Sequence, residues 1–287
     1  MRSRRLSFPL LLTITLHTAL LIGCNSRPFK SSESPKPEPG STPGRTDSSL
    51  LTYTDEIGRV VRLPKHPLRI VSLAPNITET VFLLGADDRL AGVTTHCQWP
   101  EAARKKPKIG DLLNPNYEII LNTRPDLVIA TTAGNDRAAI LKLAGLGLPV
   151  FVTAPRSVEK IFENVLNIGR IVDRPREAEQ LVLQMKQRLE EVRRRLAGLP
   201  PTRAFFMTWF DPLLAPGKNT FESDVLRQAQ VESITADIDE FYPRYSLEQV
   251  LARDPQVILT VEHNARFLTD LKKLRGWRDL RAVRASS

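Results

Sequence analysis

The pattern of apolar and polar positions divides the chain into three kinds of segment. Residues 6–22 are mostly apolar and follow a basic start, whereas residues 25–49 carry no apolar periodicity. From about Leu51 onwards, short apolar runs alternate with amphipathic stretches. Such alternation is typical of an α/β fold in which helices cover both faces of a parallel sheet. We therefore expect the folded part to begin near Leu51.

The apolar runs predict a hairpin followed by alternating strands and helices. The hairpin is predicted at 52–55 and 59–63, strands at 69–73, 90–94, 125–130, 149–152, 204–207 and 257–261, and helices at 78–84, 117–122, 138–144, 158–171, 176–196, 221–229 and 247–252. The helix at 176–196 is long and has one apolar stripe, so it is expected to connect two sets of elements.

Two segments of the chain repeat each other with an offset of 130 positions. When residues 116–130 are laid on 246–260, Glu118 falls on Glu248 and Pro125 falls on Pro255. The repeat predicts two similar lobes, each with a short helix that carries an early glutamate. The predicted domains are a leader (1–23), a tether (24–50), an N-terminal lobe (51–172), a connecting helix (173–199) and a C-terminal lobe (200–287).

The N-terminus has the features of an export and lipidation signal. Arg2, Arg4 and Arg5 precede the apolar stretch, which ends in Leu-Ile-Gly before Cys24. This ending resembles the bacterial lipobox, in which the cysteine thiol accepts the lipid; the alternative is a plain signal peptide with an accidental cysteine. We expect lipidation at Cys24, a Ser- and Pro-rich tether, and a place in the bacterial cell envelope, periplasmic or at the cell surface.

Composition and motifs argue against nucleic-acid binding and catalysis. The formal charge of the 287 residues is +9, but no basic run is interleaved with aromatic residues. No nucleophile elbow, phosphate-binding loop or zinc-protease motif occurs, so we expect no enzyme activity. His96 and Cys97 are adjacent but lack the further donors of a structural zinc site, and Cys97 is expected to be a small buried residue.

Five motifs, in this order, resemble one protein family. They are I-V-S-L-A-P-N-I-T-E at 70–79, V-T-T-H-C-Q-W-P at 93–100, G-D-L-L-N-P-N-Y-E at 110–118, R-P-D-L-V-I at 124–129 and S-L-E-Q-V-L-A-R at 246–253. They are similar to motifs in the metal-chelate class of ABC-transporter substrate-binding proteins, which includes cobalamin-binding and iron–siderophore-binding proteins. The resemblance covers residues 51–284.

The resemblance implies an architecture and a set of partners. It implies two Rossmann-like lobes joined by a long rigid helix, the class III periplasmic binding protein fold, with the ligand in the cleft between the lobes. The partners would be an ABC permease and its ATPase, and we expect a monomer. Family members continue with a strand and a closing helix beyond residue 284, so we expect either a truncated gene or an incomplete C-terminal lobe.

The resemblance also assigns roles to individual residues. Glu118 and Glu248 match the two family glutamates that meet arginines of the permease. Their alternative explanation is that a first-turn glutamate is favoured by the helix dipole.

Ligand-binding candidates follow from the rule that ligands bind at the carboxyl ends of parallel strands. They are His96, Trp99, Leu112, Trp209, Leu214 and Tyr242. A flat corrinoid needs apolar walls and a few polar groups. The resemblance is closest to the cobalamin branch, although His96, Leu112 and Leu214 stand where aromatic residues are common.

Three functions follow from these observations. The leading hypothesis is a lipid-anchored protein that captures a corrinoid for an ABC importer. In the second, the ligand is a ferric siderophore or haem, and His96 is a candidate axial ligand of the metal. The third, from another class, is a surface-anchored interaction protein without a transported ligand.

Overall fold

The computed structural model describes residues 50–261, 268 and 270–284. The predicted leader, the lipidation site at Cys24 and all of the predicted tether except its last residue lie outside these residues. Leu50, which was assigned to the tether, is already the first residue of a strand.

The strands and helices follow the predicted order, with ends that differ by a few residues. The strands are β1 (Leu50–Thr54), β2 (Val60–Pro64), β3 (Ile70–Ser72), β4 (Leu90–Val93), β5 (Leu127–Thr131), β6 (Val150–Thr153), β7 (Thr202–Met207), β8 (Val231–Ser233) and β9 (Val257–Thr260). The helices are α1 (Pro75–Leu83), α2 (Glu101–Arg104), α3 (Tyr117–Asn122), α4 (Arg137–Gly145), α5 (Val158–Ile171), α6 (Pro175–Leu196), α7 (Phe221–Gln228) and α8 (Leu247–Arg253), with a last helical turn at Arg281–Arg284. The sequence analysis did not predict α2 and β8.

The described strands form one hairpin and two parallel sheets. Strands β1 and β2 pair antiparallel, while the order of the first parallel sheet is β4-β3-β5-β6 and that of the second is β8-β7-β9. The predicted α/β fold with parallel sheets is therefore confirmed. The chain forms two compact units that divide between Glu190 and Glu191, within α6. The described residues 50–190 are called the N-terminal unit, and the described residues from 191 onwards are called the C-terminal unit.

The sheet of the N-terminal unit is buried on both faces. Leu127 and Ile129 of β5 pack in one apolar cluster with residues of α1, α5 and α6, whereas Val128 and Ala130 pack in another with residues of α3 and α4. Because neighbouring side chains on a strand point to opposite faces, both faces need apolar residues. This explains why β5 is a continuous apolar run in the sequence.

The core of the C-terminal unit is rich in aromatic residues. Phe205 of β7 stacks on Tyr245, with ring centroids 5.7 Å apart, and lies 6.5 Å from Trp277. Leu271, Leu280 and Val283 complete this core.

Candidate functional site

The N-terminal unit has a topological switch point at the carboxyl end of its sheet. Strand β3 is flanked by β4 on one side and β5 on the other, so the loops after these strands diverge at this edge. Asn135, in the loop after β5, donates from Nδ2 to the carbonyls of Leu73 (2.8 Å) and Leu112 (2.9 Å). Its Oδ1 accepts from the amide of Thr131 at 2.9 Å. Asn135 thus links the loop after β5 to the loop after β3 and to the loop that contains Leu112.

The loop after β4 presents two of the predicted ligand residues. His96 and Trp99 are both exposed, and 65% of the Trp99 surface is accessible. The amide of Thr95 donates to the carbonyl of Gly110 at 2.9 Å, so this loop lies beside the loop at 110–116. Gly110 has a φ of 103°, and a Cβ there would lie 2.6 Å from the amide nitrogen of Asn116, so glycine is required at the junction.

A charged group lies beside these residues. The Asp111 carboxylate accepts hydrogen bonds from the amides of Asn114 (2.6 Å) and Leu113 (2.8 Å). The Asn114 amide is the main cause that lowers the pKa of Asp111, and His96 contributes to the lowering. Asp111 therefore adds a negative charge that His96 helps to stabilise.

Leu112 and Cys97 point inward. Leu112 is 5% exposed and packs in the apolar core of the N-terminal unit, whereas its neighbour Leu113 is 37% exposed. Of these two leucines, Leu113 therefore offers the larger apolar surface to solvent. Cys97 is fully buried, as predicted, and its Sγ lies 3.2 Å from the hydroxyls of Thr78 and Thr94.

The structure offers no support for a joint His–Cys metal site. His96 is exposed while Cys97 is buried, so the two side chains do not face one common point. Within the described residues, no group of three or more His, Cys, Asp and Glu side chains could hold a metal ion.

The C-terminal unit brings its three predicted ligand residues together. In the loop after β7, the amide of Leu214 donates to the carbonyl of Trp209 at 2.8 Å. Leu214 also bridges to Arg244, and Ala215 donates to the carbonyl of Pro243, next to Tyr242. Trp209, Leu214 and Tyr242 are each partly buried. We call these three residues the β7 loop cluster.

A buried carboxyl group contacts one residue of this cluster, Tyr242. The Tyr242 hydroxyl donates to Glu222, with distances of 3.1 Å to Oε1 and 3.2 Å to Oε2. Burial raises the pKa of Glu222, and burial together with the Glu222 carboxyl raises the pKa of Tyr242. Glu222 was not singled out in the sequence, because nothing there signals that two residues 20 positions apart will meet.

Glu118 and Glu248 are exposed in the first turns of α3 and α8. Each helix has a side-chain N-cap two residues before the glutamate, Asn116 in α3 and Ser246 in α8. Hydrogen bonds from its own backbone amide and from Ser246 lower the pKa of Glu248, so this carboxylate is charged at neutral pH.

The surroundings of the two glutamates also match. Arg124 and Asp254, which precede Pro125 and Pro255, both adopt positive φ angles, of 46° and 39°.

In both units, the side chain of the residue after this proline bonds to the backbone at the start of a neighbouring strand. The Asp126 carboxylate accepts from the amide of Arg69 at 2.9 Å, and the Gln256 side chain accepts from the amide of Arg203, also at 2.9 Å. The 130-residue repeat is thus a repeat of backbone structure as well as of sequence.

Comparisons with known proteins identify the family. Residues 70–286 match the family described as "Periplasmic binding protein", so the chain belongs to this family. The vitamin B12-binding protein of Yersinia pestis (strain Pestoides F) is 32% identical over 191 residues, which are 67% of this chain and 68% of that protein.

Solved structures agree with this result. The crystal structure of the periplasmic vitamin B12 binding protein of Vibrio cholerae is similar with a TM-score of 0.68 and 30% identity, covering 76% of this chain and 85% of that one. A periplasmic heme binding protein from Pseudomonas aeruginosa has a TM-score of 0.67 and 27% identity, covering 75% and 81%.

The expected class is therefore confirmed. Proteins of this family are non-enzymatic solute binders that serve ABC importers, and the family implies a periplasmic location. Along the described residues, no helix has both the length and the apolar character needed to cross a membrane.

Proposed function

We propose that this chain captures a corrinoid of the vitamin B12 type and delivers it to an ABC permease. The observation that carries the proposal is the β7 loop cluster, in which backbone hydrogen bonds and bridges place the loops that bear two aromatic residues and a leucine side by side. Such a surface suits a large flat ring with a polar rim. The identity of 32% to a vitamin B12-binding protein supports the same ligand.

We expect the N-terminal unit to offer ligand contacts of its own. Exposed Trp99 offers an apolar wall, and the exposed leucine at position 113 adds to it. His96 and Asp111 offer polar contacts to the amide rim of a corrinoid.

A substitution at Trp99 tests this proposal. Removing a stacked aromatic ring costs area burial and ring contact, so Trp99→Ala should weaken cyanocobalamin binding by about tenfold in equilibrium dialysis. Trp277→Phe is unsuitable as a control, because Trp277 lies in the core. Val60→Ala, on an exposed strand position of the same unit, should leave the affinity unchanged. Unchanged affinity in Trp99→Ala would refute the proposed contact.

Haem is the second candidate ligand. It is favoured by the exposed His96 imidazole, which could coordinate an iron atom, and by the similarity to a heme binding protein at 27% identity. If haem is the ligand, His96→Ala should change the visible absorption spectrum of the haem complex. If cobalamin is the ligand, the same substitution should alter only the affinity.

We also propose that the mature protein is a lipoprotein anchored through Cys24. The basic start, the apolar stretch and the ending before Cys24 support this anchor. The Ser- and Pro-rich segment after it would act as a spacer between the membrane and the folded units.

Finally, we propose that Glu118 and Glu248 dock the permease. Both carboxylates are exposed at equivalent positions of the two units, each at a capped helix start. Two separated charges of the same sign would give a two-point electrostatic register against basic side chains of the permease.

A further inference from the structure

Glu222 is a buried carboxyl group whose side chain meets Tyr242. It lies in the first turn of α7, and only 5% of its surface is accessible. Both carboxyl oxygens lie within hydrogen-bonding distance of the Tyr242 hydroxyl, at 3.1 and 3.2 Å. A buried carboxyl without a partner is costly, so this contact fixes both side chains.

The backbone around Tyr242 is held independently of Glu222. The amide of Gly217 donates to the carbonyl of Phe241 at 2.9 Å, and the amide of Lys218 donates to that of Ile238 at 3.0 Å. A Cβ at Gly217 would lie 1.8 Å from the carbonyl oxygen of Glu240, so the two segments touch backbone to backbone. These contacts fix the chain path but leave the torsion angles of the Tyr242 ring free.

We propose that Glu222 is a positioning residue that holds the Tyr242 ring in one orientation for ligand binding. The inference rests on the proposed function, in which Tyr242 is one wall of the site for a flat metal chelate. A ring held in place before the ligand arrives loses less conformational entropy on binding. Burial raises the pKa of Glu222, and the hydrogen bond from Tyr242 opposes that rise.

The first test measures cyanocobalamin affinity in four variants of the full chain. Glu222→Ala removes the acceptor and should weaken binding by about three- to tenfold, while Glu222→Gln keeps a carbonyl acceptor and should stay within about twofold of wild type. Tyr242→Phe should weaken cyanocobalamin binding as much as Glu222→Ala does. The double variant Glu222→Ala with Tyr242→Phe should bind no more weakly than Tyr242→Phe alone.

The matched control is Glu232→Ala, which removes an exposed carboxylate from the same unit and should leave the affinity unchanged. A role of Glu222 in general stability would predict different results. Glu222→Ala would then weaken binding equally in the Tyr242→Phe background, and Glu222→Gln would not restore it. Either result, or full affinity in Glu222→Ala, would overturn the inference.

A second measurement needs no ligand. In protein labelled with ¹³C at the tyrosine ζ carbon, the Tyr242 resonance is identified by its loss in Tyr242→Phe. Glu222→Ala should change the chemical shift of this resonance at neutral pH, because the Tyr242 hydroxyl loses its hydrogen-bond acceptor.

The two readouts separate the inference from the proposed function. If the wild type does not bind cobalamin, the proposed function fails, and the affinity series is repeated with haemin. If neither ligand binds, the tyrosine resonance decides alone, and a chemical shift that Glu222→Ala leaves unchanged would overturn the inference.

Discussion

At the scale of single residues, the buried Glu222 makes stability depend on pH. Burial raises its pKa above the ordinary value of 4.5, so the folded protein holds the proton more tightly than the unfolded chain does. The stabilisation that comes from this proton is fully present below pH 4.5. It is lost as the pH rises through the higher pKa of the folded state.

The prediction compares wild type with Glu222→Gln, which cannot titrate. The free energy of unfolding of the wild type, relative to that of the variant, should fall as the pH rises from about 4 to about 8. Urea unfolding followed by circular dichroism at several pH values measures this difference. Glu232→Gln, at an exposed position, should show no comparable trend. If the free energy of unfolding of the wild type relative to Glu222→Gln stays constant or increases with pH, that result would contradict the raised pKa of Glu222.

Residue types in the sequence predict burial better than they predict partners. Cys97 is buried as its small apolar side chain suggests, but Leu112 lies in the core although it was expected on the ligand surface. Local sequence does not decide which of two adjacent leucines faces inward in a loop. The contacts of Asn135 and Glu222 depend on segments that are distant in the chain, so no local pattern predicts them.

At the scale of elements, the two glutamate-bearing helices depend on their N-caps. In α8, Ser246 Oγ accepts from the amide of Gln249 at 3.2 Å, and Gln249 Oε1 accepts from the amide of Ser246 at 2.9 Å. This reciprocal capping box satisfies two backbone donors that the helix itself leaves unpaired.

Ser246→Ala should therefore lower the free energy of unfolding by about 1 kcal/mol. Thermal or urea unfolding of the full chain measures the loss. Ser246→Asp keeps a capping acceptor and should recover most of the stability, which distinguishes the cap from a packing effect. Equal stability of Ser246→Ala and wild type would show that the cap contributes little.

The sequence predicted long and apolar elements well and short or mixed ones poorly. The hairpin, the parallel strands other than β8, and the helices α1 and α3 to α8 were predicted because apolar runs alternate with Gly, Pro and capping residues. The strand β8 has only three residues, Val-Glu-Ser, and pairs along one side with β7, so its sequence carries no apolar run. The single-turn helix α2 is too short for any periodicity to appear.

At the scale of the whole molecule, the repeat places an exposed glutamate at an equivalent position in each unit, Glu118 and Glu248. Glu118→Ala combined with Glu248→Ala should leave cyanocobalamin affinity within about twofold of wild type but strongly reduce formation of the complex with the transporter. Each single variant should reduce formation of the complex with the transporter only in part. Added salt should mimic the substitutions, because exposed charges are screened beyond about 8–10 Å.

Complex formation can be followed by pull-down with the reconstituted permease. Glu232→Ala serves as the control, because it removes an exposed carboxylate outside the repeat. The docking proposal fails if the double variant binds the transporter as tightly as wild type, or if it loses the ligand.

The anchor is a separate property of the whole chain. Cys24→Ala removes the thiol that would accept the lipid, so the variant should move from the membrane fraction to the soluble fraction. Cys97→Ala keeps Cys24, and it should remain with the membrane. Membrane retention of Cys24→Ala would contradict lipidation at this position.

Calorimetric titration of the full chain with cyanocobalamin, haemin and a ferric siderophore tests the proposed capture of a corrinoid most directly. We predict saturable one-to-one binding of cyanocobalamin, with weaker or no binding of the two iron chelates. Saturable binding of haemin or the siderophore, with no heat from cyanocobalamin, would contradict the corrinoid assignment.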